Sequence, residues 1–241
     1  MMWVPSLAPV VPMPVLLFDI DGTLVRTGGA GKVAMELALR TAFGVAEVRD
    51  EVPYSGRTDR DIGRALLACH GLPDHLENQV KLTDAYLDHL PDILAGGTGE
   101  VCVAVTDVLD AVRQRPNVTL GLLTGNVVRG AKTKLGHYGL WEYFLHDGHP
   151  LGGFGDRHYD RDDVAREALT AVIARVGNVD PADVWVIGDT PLDVRCARAI
   201  GAKVVTVATG WHSHEELVAC RPDAAFRTLA DAGELVTRWI G

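Results

Sequence analysis

Val15-Leu-Leu-Phe-Asp19-Ile-Asp21-Gly22-Thr23-Leu24 is the stretch that decides how this chain is read. Its apolar run ends in a carboxylate, and a second carboxylate and a glycine follow at once. A wholly apolar run of this length predicts a central parallel strand buried on both faces, because a strand with one wet face would alternate. Alternation then puts Asp19 and Asp21 on one side of the chain as it leaves the sheet. Ligands of open α/β sheets bind outside the carboxyl ends of the strands, where this pair falls. Gly22 permits the tight turn that follows, and Thr23 offers a capping hydroxyl. A solvated turn built on aspartate side chains is the plainer reading of the same residues. An EF-hand is excluded, since the later acidic positions and the glycine of that loop are absent after Asp21.

Outward from this stretch the same pattern recurs. Apolar runs stand at Val118-Thr-Leu-Gly-Leu-Leu-Thr124, Val184-Trp-Val-Ile-Gly-Asp189 and Lys203-Val-Val-Thr-Val207. Helical patterns lie among them, from Asn126 to Leu135, Arg161 to Val176 and Asp193 to Ile200, the last ending at Gly201. Strands alternating with helices predict an α/β fold with a doubly wound, Rossmann-like parallel sheet. From Thr27 to Gly97 the alternation breaks, and only helices are expected: Lys32 to Phe43, Thr58 to His70 and Asp74 to Leu94. Gly28, Gly29 and Gly31 precede this stretch and Gly96, Gly97 and Gly99 follow it, a pattern that suits two hinges. The expected organisation is a core of residues 1–26 and 98–241 with an all-helical module, 27–97, inserted after the first strand. Gly28-Gly-Ala-Gly-Lys32 resembles part of a P-loop, but Arg26 stands where that motif opens on glycine and Val33 where it needs Ser or Thr. It is read as hinge.

Bulk properties narrow the function. The 241 residues are 47% hydrophobic and 23% charged, as in an ordinary globular protein. A formal net charge of −9 argues against nucleic acid or an anionic membrane as partner. An anionic substrate must then be held by local cations, backbone amides or a metal. Cys69, Cys102, Cys196 and Cys220 show no CxxC spacing, which points to reduced thiols in a cytoplasmic protein. Residues 1–18 are uncharged up to Phe18, yet Pro5, Pro9, Pro12 and Pro14 interrupt any membrane helix and no Lys or Arg precedes the apolar part. A ragged N-terminal extension is expected there.

Two more strand ends carry polar groups. Thr124-Gly125-Asn126 ends one strand in a hydroxyl and opens a helix whose amides favour an anion, although the same tripeptide is also a good helix start. Asp189-Thr190-Pro191-Leu192-Asp193 puts carboxylates after another buried strand, with Pro191 suited to a first helical turn. Three such ends in one parallel sheet must converge on one edge. Asp19, Asp21 and Asp189 gathered there would repel one another without a cation, and a few carboxylate oxygens suit Mg²⁺, which keeps waters and shares substrate phosphate.

This series, DxDGT, hydroxyl-Gly-Asn after a strand, then GDxxxD, resembles motifs I, II and IV of the haloacid dehalogenase (HAD) superfamily. The helical insertion resembles that superfamily's C1-type cap, and the likeness runs from Val15 through nearly the whole chain. What it implies is a phosphatase similar to the phosphoglycolate phosphatases, acting on a small phosphate ester through an aspartyl phosphate. Asp19 would be the nucleophile and Asp21 the general acid/base. Thr124 and the amide of Gly125 would bind phosphoryl oxygens, with Gly22, Thr23 and Asn126 lining the same site. Asp19, Asp189 and the Asp21 carbonyl would ligate Mg²⁺, and Asp193 would orient ligands or the basic residue. One motif departs from the pattern. The segment Gly155-Asp-Arg-His-Tyr-Asp-Arg-Asp-Asp163 contains no lysine where motif III has one. Arg161 is the expected substitute, with Arg157 next, although a guanidinium fork differs from a compact ammonium. In the insertion, Ser55-Gly56-Arg57-Thr58-Asp59 is the most polar loop before a helix, and Arg57 is placed to meet a substrate carboxylate or second phosphate.

Rival activities are a phosphomutase of the β-phosphoglucomutase type, a phosphonatase and a silent HAD-like binding protein. A phosphonatase needs a cap lysine for a Schiff base, and Lys32 and Lys81 stand in no suggestive loop. Silent relatives usually lose an acidic motif residue, and all are present here.

Overall fold

The computed structural model describes residues 14–49 and 51–240. The expected N-terminal extension therefore lies almost wholly outside the described residues, and Val15 opens the first strand. Six strands form one sheet: β1 (Val15–Phe18), β2 (Thr119–Leu123), β3 (Gly152–Gly153), β4 (Val184–Gly188), β5 (Lys203–Val207) and β6 (Ala224–Phe226). Their order across the sheet is 6-5-4-1-2-3, and every neighbouring pair is parallel. The chain moves outward on one side of β1 and then returns to build the other, so the crevice where the direction reverses lies between β1 and its neighbours. Two short antiparallel ribbons stand apart from the sheet, Val25–Arg26 with Glu100–Val101 and Leu145–His146 with His149–Pro150.

Nine helices are present among the described residues: α1 (Ala30–Phe43), α2 (Asp59–Cys69), α3 (Leu76–Gly96), α4 (Val105–Arg113), α5 (Val128–His137), α6 (Arg161–Val176), α7 (Pro191–Ala199), α8 (His214–Ala219) and α9 (Gly233–Ile240). The apolar run of β1 is divided by its pleat. Leu16 and Phe18 enter one core with residues of α4, α5 and α9, while Val15 and Leu17 enter a second with residues of α6 and α7. That division is why all four residues are apolar and fully buried. Helices on both faces of a parallel sheet make the doubly wound architecture that the alternation predicts.

Helices α1, α2 and α3 bury a third cluster of their own, around Met35, Leu39, Leu66, Tyr86 and Leu90. The Val25–Arg26 and Glu100–Val101 ribbon ties together the chain entering and leaving this insertion, and Arg26 pairs with Glu100 across it. Some sequence expectations shift. Gly31 and Gly96 are helical, inside α1 and α3, rather than in connections. Asn126 stays in the loop before α5, and α7 starts at Pro191, two residues ahead of Asp193. Gly152-Gly153 pairs with Leu122 and Leu123 as the edge strand. No helix among the described residues is long and apolar enough to cross a membrane.

Candidate active site

The carboxyl ends of β2, β1 and β4 lie side by side, so Thr124, Asp19 and Asp189 converge as the buried runs require. Asp19 is 4% exposed, and its backbone N–H donates to the Ile187 carbonyl at 2.9 Å, which continues the pairing of β1 with β4 past the strand's end. Arg161, the first residue of α6, reaches the same place and is buried. Its Nη2 donates to Asp19 Oδ1 at 2.7 Å, to Asp193 Oδ1 at 2.5 Å and to the Leu123 carbonyl at 3.2 Å. Burial pushes the Asp19 carboxyl up to about 6, with Arg161 opposing that rise. The pair of carboxylates in turn holds Arg161 firmly charged against the effect of its burial. Arg161 is thus a buried cation held against Asp19 and Asp193, while Arg157 takes no part in these contacts.

Asp193 is fully used. Oδ1 accepts from Arg161, and Oδ2 accepts from the backbone N–H and hydroxyl of Thr190 at 2.9 and 2.7 Å in a capping box of α7. It thereby ties Arg161 to the first turn of α7. Asp189 is different: it is 1% exposed, and Thr23 donates its hydroxyl to Oδ1 at 3.2 Å. No Lys, Arg or His pairs with Asp189 among the described residues. Burial, then the charges of Asp19 and Asp193, push its carboxyl well above the usual range. One oxygen from each of Asp19, Asp189 and Asp193 lies within 4.8 Å of the others. Gly22, with φ of 86°, and Gly210 crowd Asp189 so closely that a Cβ on them would stand 2.3 and 1.7 Å from its Oδ2. Three buried acids with one guanidinium leave excess negative charge in a site of oxygen donors, and a hard divalent cation fits that donor set.

Thr124 is buried and stands at the end of β2. Its hydroxyl accepts from the Asn126 backbone at 3.3 Å and from Asn126 Nδ2 at 2.8 Å. The Asn126 amide also donates to Asp21 Oδ2 at 2.8 Å, so its side chain braces two other site residues. Lys134 completes this group, and the sequence reading missed it. The Lys134 ammonium, on α5 and 4% exposed, donates to Asp21 Oδ2 at 2.6 Å and to Asn126 Oδ1 at 2.7 Å. Burial works against its charge, but Asp21 and Asp59 overcome that and raise its affinity for the proton. The signal was available: Gly130, Ala131, Lys134 and Leu135 form the buried face of α5, so one lysine interrupts an apolar stripe.

The loop before α2 lies against the core. The Asp59 N–H donates to the Gly125 carbonyl at 2.8 Å, Asp59 Oδ2 accepts from the Val127 N–H at 2.9 Å, and Arg161 Nη1 donates to the Gly56 carbonyl at 3.3 Å. Burial pushes the Asp59 carboxyl up to about 6, with Lys134 opposing. Arg57 is held inside the insertion, its Nε donating to Asp61 Oδ2 at 2.7 Å and Nη1 to the Pro53 carbonyl at 3.0 Å. It borders a cleft of about 470 Å³ whose other walls include Arg64, Tyr159, Arg161, Leu192 and Arg195.

Residues 13–201 match the family model for the haloacid dehalogenase-like hydrolases. A phosphoglycolate phosphatase of Synechococcus elongatus is 29% identical over 228 residues, covering 94% of this chain and 98% of that protein. One from Vibrio vulnificus is 25% identical over 227 residues, covering 92% and 95%. The crystal structure of CbbY from Rhodobacter sphaeroides in complex with phosphate superposes with a TM-score of 0.69 at 17% identity, covering 92% and 96%, a likeness of fold.

Proposed function

We propose that this chain, which belongs to the haloacid dehalogenase-like hydrolases, is a Mg²⁺-dependent phosphomonoester hydrolase that works through a phosphorylated Asp19. The observation that carries the reading is the buried set of Asp19, Arg161 and Asp189 at the crevice of the sheet, with Asp21 beside it. Hydrolysis of phosphate monoesters is among the slowest uncatalysed reactions, so both a nucleophile and preorganised charge are needed.

In the first step an Asp19 oxygen forms a bond to phosphorus. The ester P–O bond breaks, and the departing oxygen takes a proton from Asp21 and leaves as the alcohol. In the second, water attacks the phosphorus and gives a proton to Asp21; the bond to Asp19 breaks and inorganic phosphate leaves. Arg161 and the Thr124 hydroxyl hold phosphoryl oxygens, with the Gly125 amide as a further donor. Mg²⁺, held by Asp19, Asp189 and the Asp21 carbonyl, would offset the charge on those oxygens. Gly22 and Thr23 shape the turn beneath the phosphoryl group.

The three-helix insertion, residues 27–97, serves as the cap that excludes water and selects the leaving group. Substrates with a second anionic group, of which phosphoglycolate is one, suit the arginines of the adjacent cleft, Arg57 among them, and the relatives named phosphoglycolate phosphatases point the same way. The four cysteines are free and suit a cytoplasmic setting. The test is phosphate release from a panel of small phosphomonoesters, with Mg²⁺ or EDTA, for wild type and Asp19→Asn. Turnover that needs both Mg²⁺ and Asp19 supports the reading. Phosphate transferred to a sugar phosphate rather than to water would make the chain a mutase, and no turnover by the folded protein would leave it a binding protein.

A further inference from the structure

The hydrolase reading gives Asp21 two proton transfers, yet a carboxylate on a loop can turn about its bonds, and the side chain is 40% exposed. Something must hold it. Two N–H donors, from Lys134 at 2.6 Å and Asn126 at 2.8 Å, converge on one oxygen, Oδ2. Oδ1 accepts no hydrogen bond among the described residues. With Oδ2 filled by donors that bring their own hydrogens, a proton carried by Asp21 can sit on Oδ1 alone.

We propose that Lys134 is a positioning residue of this reaction: by clamping Asp21 Oδ2 together with Asn126, it turns Oδ1 to the leaving oxygen and later to the attacking water. The inference rests on the phosphatase reading above. The clamp is closed on itself, because Lys134 also donates to Asn126 Oδ1 at 2.7 Å while Asn126 donates to both Asp21 and Thr124. One lysine thereby fixes the acid/base and the brace of a phosphoryl-binding hydroxyl. It also makes the insertion part of the site. A Cβ on Gly31, in α1, would stand 3.3 Å from Lys134 Nζ, close enough to push the ammonium aside by a few tenths of an ångström. A lysine kept merely to offset buried carboxylates would not need the convergence on one oxygen.

The role predicts a dependence on the leaving group. An alkyl alcohol must be protonated as it departs, and general acid catalysis of that kind contributes about 10²–10⁴-fold. A p-nitrophenolate departs without help. In Lys134→Met, kcat/KM for an alkyl phosphate is expected to fall on the order of 10²-fold, while p-nitrophenyl phosphate loses under about tenfold. Added to Asp21→Asn, Lys134→Met should cost the alkyl ester little more. Gly31→Ala removes no charged group and replaces a helix-interior glycine with a better helix former, so it should fold at least as well as wild type. It should show the same selective loss on a smaller scale, a few-fold for the alkyl ester and none for the aryl one. Equal losses on both esters in both variants, or full additivity with Asp21→Asn, would overturn the proposal and leave Lys134 a structural cation. A wild type that releases phosphate from neither ester would instead refute the phosphatase reading, and the positioning role falls with it.

Discussion

Replacing Arg161 with methionine keeps an unbranched apolar stem and removes the cation that joins Asp19 to Asp193. Its Nη2 alone makes three contacts, all buried, to Asp19, Asp193 and the Leu123 carbonyl. Removing one partner of a buried ion pair typically costs about 3–5 kcal/mol, because an uncompensated charge is left in the interior. For a chain of this size about 2–4 °C of melting temperature goes with each kcal/mol, so a fall of about 6–20 °C is expected in EDTA at neutral pH. The deficit should depend on pH. Without the guanidinium, the folded-state affinity of Asp19 for protons rises further above the unfolded value near 3.8. The folded variant then binds more protons than the unfolded chain, so its stability falls as pH rises, and the gap from wild type widens from acid to neutral pH. Differential scanning fluorimetry of wild type, Arg161→Met and Arg161→Lys between pH 4 and 8 reads this directly. Lysine should recover part of the gap, since it restores charge without the fork. A loss that does not change with pH, or no loss, would refute the view that Arg161 holds these two acids.

Three further outcomes follow from the same geometry. Asp19 titrates near 6 when folded against 3.8 when unfolded, so in EDTA its contribution disfavours the fold by on the order of 3 kcal/mol once pH has risen through that window. Mg²⁺ should restore stability above that window and add little below it, as urea unfolding with and without the metal would measure. Gly125→Ala would place a Cβ 2.1 Å from the Arg57 carbonyl oxygen, pushing the insertion's loop off the core. A misplacement of that size costs on the order of 10²-fold in kcat/KM, and an unchanged value would count against a cap that closes through this loop. Trp239, 1% exposed and edge-on to Trp185 at 5.8 Å, packs at the end of the sheet away from Asp189. Trp239→Ala should therefore cost about 3–5 kcal/mol in urea unfolding and leave kcat of the folded fraction unchanged.

The parallel sheet was legible because burial on both faces leaves a strong mark: β1, β2, β4 and β5 are apolar runs that nothing else explains. Their ends also carried the acidic groups, so the meeting of Asp19, Thr124 and Asp189 could be expected before any coordinates. Elements with weaker marks were not readable. Gly152-Gly153 has no side chains to show a period, and its strand is defined by backbone pairing with β2 alone. The helix at Val105–Arg113 follows Ala104 in a left-handed conformation, with no capping side chain to announce it. Lys134 escaped for a different reason. A lone lysine in a helix is ordinarily solvated, and what makes this one special is Asp21, more than a hundred residues away in sequence. Asp59 likewise reads as a first-turn helix acid until Val127 and Gly125 are seen against it.

The central claim is that Asp19 itself carries the phosphoryl group. Enzyme quenched in acid during turnover of a phosphomonoester with Mg²⁺ can be treated with borohydride, which reduces an aspartyl phosphate to homoserine, and then mapped by mass spectrometry. The account predicts homoserine at position 19, absent when substrate or Mg²⁺ is withheld and absent in Asp19→Asn, whose turnover is lost. Phosphate released at the normal rate with no modification at position 19, or by the Asp19→Asn variant, would contradict it.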